Sequence, residues 1–93
     1  MLRIFIADAS RDLVVLRLDG RIGGRWVELL RKTCEVPLNA GARVTVDLMN
    51  VSFSDRDGIT LLRHLKERQV EFLNISPFIA CEIEIPPSSG SKG

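Results

Sequence analysis

A strand, a helix and a second strand follow one another between Leu13 and Leu48, and that order constrains the chain more than any other feature. Leu13–Leu18 is a nearly continuous, β-branched apolar run of the kind that forms a strand covered on both faces. Gly20, Gly23 and Gly24 break the pattern. Trp26, Leu29, Leu30, Thr33 and Cys34 then recur at the i, i+3, i+4, i+7, i+8 spacing of one helical face, with Arg25, Glu28, Arg31, Lys32 and Glu35 on the other. Pro37 ends this helix or lies just beyond it, and Leu38–Ala42 reads as a loop. Arg43–Leu48 alternates again, with Val44, Val46 and Leu48 inward. A right-handed crossover therefore lays this strand parallel to the one before it.

The flanks complete a sheet. Arg3–Ala7 alternates, Ile4 and Ile6 to one side and Arg3 and Phe5 to the other, which suggests an edge strand with one well-buried face. Turn chemistry in Asp8–Asp12 and the short gap that follows favour an antiparallel hairpin. Beyond Met49–Ser54, Asp55 or Asp57 can cap a second helix whose inward stripe is Gly58, Leu61, Leu62 and Leu65, with Arg63, Lys66, Glu67 and Arg68 in water. Val70–Asn74 is a short fourth strand. Ser76 and Pro77 make an N-cap and first-turn pair for a brief last helix, Phe78–Glu82. The expected fold class is α/β, a single domain over residues 1–85. Its four-stranded mixed sheet has an antiparallel N-terminal edge hairpin, a parallel core and about three helices. Residues 86–93 hold only Pro, Ser, Gly and Lys and are expected to form a flexible tail.

The chain's 93 residues, 45% of them hydrophobic, can bury one core. Thirteen basic against twelve acidic side chains leave a formal charge of +1, with no basic run to attract a nucleic acid. Apolar stretches such as Ile59–Leu62 are far shorter than the roughly 20 residues that span a bilayer. Met1–Asp8 carries a charge inside its apolar run, unlike a secretory leader, so the expected location is the cytoplasm. Cys34 and Cys81 have no companions at metal-ligand spacing and read as buried thiols.

Catalytic readings find little support. Gly20–Gly24 follows a strand and opens a helix but lacks the G-x-G-x-x-G spacing and a phosphate-binding Lys. Asp55 and Asp57 as an acid and base pair have no nucleophile or metal set beside them. His64 falls on the polar side of the second helix and Trp26 on the apolar side of the first. Ser52, Ser54 and Thr60 offer hydroxyls near one helix end, where loop Ser residues commonly form turns. No enzyme activity and no cofactor are expected.

The element order, together with Asp47, Leu48, Asn50, Val51, Ser52, Phe53, Ser54, Asp55, Arg56, Asp57 and Gly58 in a loop between the third strand and second helix, resembles the STAS domain family. These are the anti-sigma factor antagonists and their relatives, and the resemblance spans Arg3 to about Glu82. In the antagonists the loop reads Asp-Ser-Ser-Gly, and an anti-sigma kinase phosphorylates the second Ser to release the partner. Here the corresponding residues are Asp55, Arg56, Asp57 and Gly58, so a carboxylate stands where the hydroxyl would be. The resemblance implies a protein-binding regulatory module with Ser52, Ser54, Asp55, Arg56, Asp57 and Gly58 as partner-binding loop. Asp57 is then either a helix cap or a partial phosphomimic. The implied partner is an anti-sigma factor or related GHKL-type kinase, or another signalling protein, and a homodimer is open. Relatives of this kind also suggest a subunit of an ABC-type lipid transport complex, or a nucleotide or small-molecule sensor.

Overall fold

Alternating apolar residues near the N-terminus close into a hairpin: β1 (Leu2–Ala9) runs antiparallel to β2 (Leu13–Ile22). The chain continues through α1 (Arg25–Asn39), β3 (Arg43–Ser54), α2 (Arg56–Glu67), β4 (Glu71–Leu73) and α3 (Pro77–Glu84). The computed structural model describes residues 1–84, so the expected tail 86–93 lies outside the described residues. β3 pairs parallel with β2 and β4 parallel with β3, giving one sheet in the order β1-β2-β3-β4. The expected mixed sheet, with its antiparallel edge hairpin and three parallel strands, is present.

α1 packs on β2 and β3, α2 on β3, and α3 on α2. Alternation along the strands sends Leu16, Leu18, Val44, Val46 and Leu48 into this layer, where they meet Leu30, Leu62 and Leu65 from the helices. Each such side chain contributes about 1.5–3 kcal/mol by leaving water. The α2 stripe is as expected, with Ile59 joining Gly58, Leu61, Leu62 and Leu65 among its buried residues. Ser76 caps α3, its Oγ accepting from the Ile79 amide at 3.2 Å, and Pro77 is the first helical residue.

Several expectations are corrected. β2 is not covered on both faces: Arg17 is exposed on the side away from the helices, its guanidinium 4.8 Å from the Phe5 ring centroid. The inner side of β1 is only partly buried, since Leu2 is inside but Ile6 is 67% exposed. α1 covers β2 and β3 instead of this edge, and a bulge between Ile6 and Asp8 bends the end of the strand. Pro37 lies inside α1; placed one turn from the end, it costs the helix one amide donor, and the closing bonds Ala40 N to Val36 O and Ala42 N to Pro37 O still form. The buried residues of α1 are Leu30 and Cys34, with Val27 and Leu38 packed against the core; Leu29 points out, 45% exposed. Trp26 is half-buried at the margin of the core, beneath Arg25 at 5.5 Å. Cys34 is buried as expected, but Cys81 is exposed, and both are free thiols. The fourth strand shrinks to Glu71–Leu73, bounded by positive-φ residues at Gln69 and Asn74.

Candidate partner-binding site

The segment expected to be a loop is mostly strand. Met49–Ser54 continues β3 because the second half of β2, past Gly20, runs beside it: Asp19 lies opposite Asn50, Gly20 opposite Val51, Arg21 opposite Phe53 and Ile22 opposite Ser54. Two register shifts absorb the irregularity of the two chains. Val51 is buried, and Phe53 points the other way, 42% exposed, with the Arg21 guanidinium 5.0 Å from its ring centroid. Asn50 Nδ2 donates to Asp19 Oδ1 at 3.0 Å. Asp47 Oδ1 accepts from the Asn74 amide and the Met49 backbone N–H, and these bonds, led by Asn74, hold its carboxyl below the usual range.

Only one residue then separates β3 from α2. Asp55 is extended (φ −79°, ψ −178°), its N–H donates to Ile22 O at 2.9 Å, and its Oδ1 accepts from the Gly58 amide at 2.8 Å. Of the two acids, Asp55 is therefore the cap. Its Oδ2 accepts from the Gly24 amide at 3.2 Å, 31 residues away. Gly24 is the N-cap residue of α1, with φ +57°, a conformation that favours glycine. One carboxylate thus ties the start of α1 to the start of α2, where both helices gather positive partial charge.

Gly58 is buried for a steric reason. A Cβ on it would meet Ser54 Oγ and come within 2.8 Å of Ile22 Cγ2. The close approach of α2 to the ends of β2 and β3 depends on this residue having no side chain. Asp57 and Arg56, by contrast, are exposed on the first turn, and among the described residues neither has a side-chain hydrogen bond or ion pair.

The hydroxyls are dispersed. Ser52, on β3, is exposed and donates to Gly20 O; Ser54 is half-buried beneath Gly58 and donates to Asp55 O; Thr60 lies one turn into α2 and donates to Arg56 O. Ser54, Asp55, Arg56, Asp57 and Gly58 are consecutive at the helix mouth, whereas Ser52 sits two residues back on the strand. His64 is exposed, on the polar side of α2. Gly24, Arg21 and Phe53 also border this end of the sheet. Gly24 was legible only as a turn residue, and no local pattern signals a bond spanning 31 residues.

The sequence matches no protein-family model and no curated protein. Its architecture does have solved counterparts, 14 chains in all. The unphosphorylated form of the anti-sigma factor antagonist SpoIIAA superposes with a TM-score of 0.73 at 22% identity, covering 91% of this chain and 84% of that one. This is the STAS fold. The phosphorylated form of the Bacillus cell fate determinant SpoIIAA gives 0.67 at 24% identity, over 96% of this chain and 86% of that one. A structure described as Mglu superposes less closely, with a TM-score of 0.55 at 23% identity, over 78% of this chain and 19% of that one. Among the described residues no helix is long and apolar enough to cross a membrane.

Proposed function

We infer that the chain is a cytoplasmic, protein-binding regulatory module without catalytic activity, and that it docks a partner through the rim of the α2 N-terminus. The observation that carries this reading is the division of labour between two acids. Asp55 is spent on two backbone amides inside the protein, while Asp57, two residues on, projects into water with no intramolecular partner among the described residues. A rigid frame thus displays a free charge, as a docking surface requires.

The STAS fold supports the regulatory reading, since the solved counterparts are described as an anti-sigma factor antagonist and a cell fate determinant. By the resemblance, Asp57 occupies the seat of the phosphorylated Ser. A carboxylate accepts no phosphoryl group from a Ser/Thr kinase and carries one charge against the −1.5 to −2 or so of phosphoserine. The module is therefore a permanent partial mimic of one state of the switch. Its partner is an anti-sigma factor or a related GHKL-type kinase.

The test is affinity capture from native lysate of the source organism, with bound proteins identified by mass and Asp57→Lys run in parallel. Recovery of such a kinase by the parent chain, reduced several-fold for the variant with unchanged circular dichroism, is the expected result. Equal recovery by both forms sinks the reading.

A further inference from the structure

We propose that the outer edge of β1, which no other strand among the described residues pairs, is a self-association site, to which β1 of a second copy adds antiparallel with Phe5 opposite the copy's Phe5. The inference is independent of the α2 docking surface. β1 is an eight-residue strand at the margin of the sheet, whereas β4 at the other margin has three residues. A long edge presents unpaired backbone groups to any strand able to match them.

The phase of those groups follows from one hydrogen bond. Arg21 N donates to Met1 O at 3.0 Å, so Met1 and Arg21 are a hydrogen-bonded pair of the antiparallel ladder. Bonded and non-bonded pairs alternate, so Arg3 and Phe5 turn their N–H and C=O toward β2, and Leu2, Ile4 and Ile6 turn theirs to the free edge. Setting Phe5 against the copy's Phe5 brings Ile4 opposite the copy's Ile6, and Ile6 opposite the copy's Ile4. Both pairs then exchange two main-chain bonds. The Phe5 pair falls at a non-bonded position, where side chains approach most closely.

Side chains agree with that register. Ile6 is 67% exposed and Phe5 37% exposed, and the copy would cover both rows with the same residues. Asp8 lies opposite Val15 and Phe5 opposite Arg17, so Asp8 shares the face of Arg3 and Phe5 once the bulge is passed. Arg3 then faces the copy's Ala7 and stands beside its Asp8, and the two-fold symmetry makes the contact twice. Among the described residues neither Arg3 nor Asp8 has an ion-pair partner within its own chain. Parallel addition would set like charges against like, and an antiparallel register centred on Ile4 would leave Asp8 beyond the copy's strand. The bulge after Ile6 limits the ladder, so the contact is small and reversible.

Sedimentation equilibrium of the purified chain tests this. The weight-average mass should climb from one chain toward two between about 10 μM and about 1 mM, the span expected of a short, reversible interface. Ile6→Lys should hold it at one chain. Ile4→Pro should do the same; the lost N–H faces away from β2, so the hairpin stays paired, while the lost packing of Ile4 against the core lowers the melting temperature without unfolding the chain. Arg3→Asp and Asp8→Arg should each weaken association at least fivefold, and the two together should restore it. A chain that stays monomeric throughout, association undiminished in Ile6→Lys and Ile4→Pro, or a charge-swapped double variant no better than the singles, overturns the proposal.

Discussion

Replacing Asp55 separates its two roles. In the folded chain its Oδ1 holds the Gly58 amide and its Oδ2 the Gly24 amide, so Asp55→Ala removes a helix cap and a tie between two helix starts in one change. Loss of an N-cap acid costs about 0.5–2 kcal/mol. The second bond, longer and solvent-exposed, adds roughly 0.5–1 kcal/mol, as for an ordinary hydrogen bond. A total near 2 kcal/mol lowers the melting temperature by about 8–16 °C in a domain of this size. Asn caps nearly as well as Asp but has a single acceptor oxygen, and its NH2 group would face the Gly24 donor. Asp55→Asn should therefore lose only the smaller part. Thermal and urea unfolding followed by circular dichroism give the ranking parent, Asn, Ala. An Ala variant within about 0.5 kcal/mol of the parent, below the least a lost cap costs, would refute the reasoning. Asn and Ala variants of equal stability would refute it too.

Two further outcomes follow from packing. Gly58→Ala gains helix propensity of up to about 1 kcal/mol, but its Cβ runs into Ser54 Oγ and Ile22 Cγ2, and overpacking of this kind costs about 1–3 kcal/mol. The variant should be net destabilised, and Ser54→Ala in the same chain should recover part of the loss; additive effects would mean the two side chains do not meet. Burial pushes the Cys34 thiol up to about 12, with the Glu35 carboxylate adding to it, so a thiol reagent should label Cys81 at once and Cys34 only on unfolding. Because the unfolded thiol releases its proton first, stability should fall by about 1.4 kcal/mol per pH unit between about pH 9 and about pH 12, where the folded thiol ionises too. Cys34→Ala should lack that slope, and the absence of Tyr keeps phenol titration out of the window.

Elements with a strong local period were legible. The β1–β2 hairpin, the crossover through α1, the inward stripe of α2 and the Ser76–Pro77 helix start each rest on spacing or cap chemistry within a few residues. What escaped depends on neighbours distant in sequence. Met49–Ser54 carries polar residues and looks like a loop, and only the extension of β2 through Gly20 to Ile22 makes it a strand. Leu29 and Leu30 are equally apolar, and the choice of Leu30 as the buried one is set by how α1 lies on the sheet. Cys81 sits on a short apolar helix whose inward side is taken by Ile79 and Ile83. At the candidate site the sequence narrowed the cap to two acids. The choice between them required the Gly58 and Gly24 amides to be in place.

That choice determines what Asp57 can do. Had Asp57 been the cap, replacing it would unfold the helix mouth, and stability and binding would change together. With Asp55 holding both amides, Asp57 interacts with the helix only as an exposed first-turn acid, about 0.3–1 kcal/mol. Against a charge on a docked partner, the same carboxylate weighs more: at 4 Å and an effective dielectric near 20 the interaction approaches 4 kcal/mol before desolvation is subtracted. Asp57→Ser should therefore melt within about 1 kcal/mol of the parent, the most a first-turn acid contributes, and Asp57→Lys, which also sets a cation at the helix start, within about 2 kcal/mol, while their affinity for the captured kinase shifts by an order of magnitude or more. Affinity and melting that change in step, or a partner indifferent to all three residues, would return Asp57 to a plain first-turn acid.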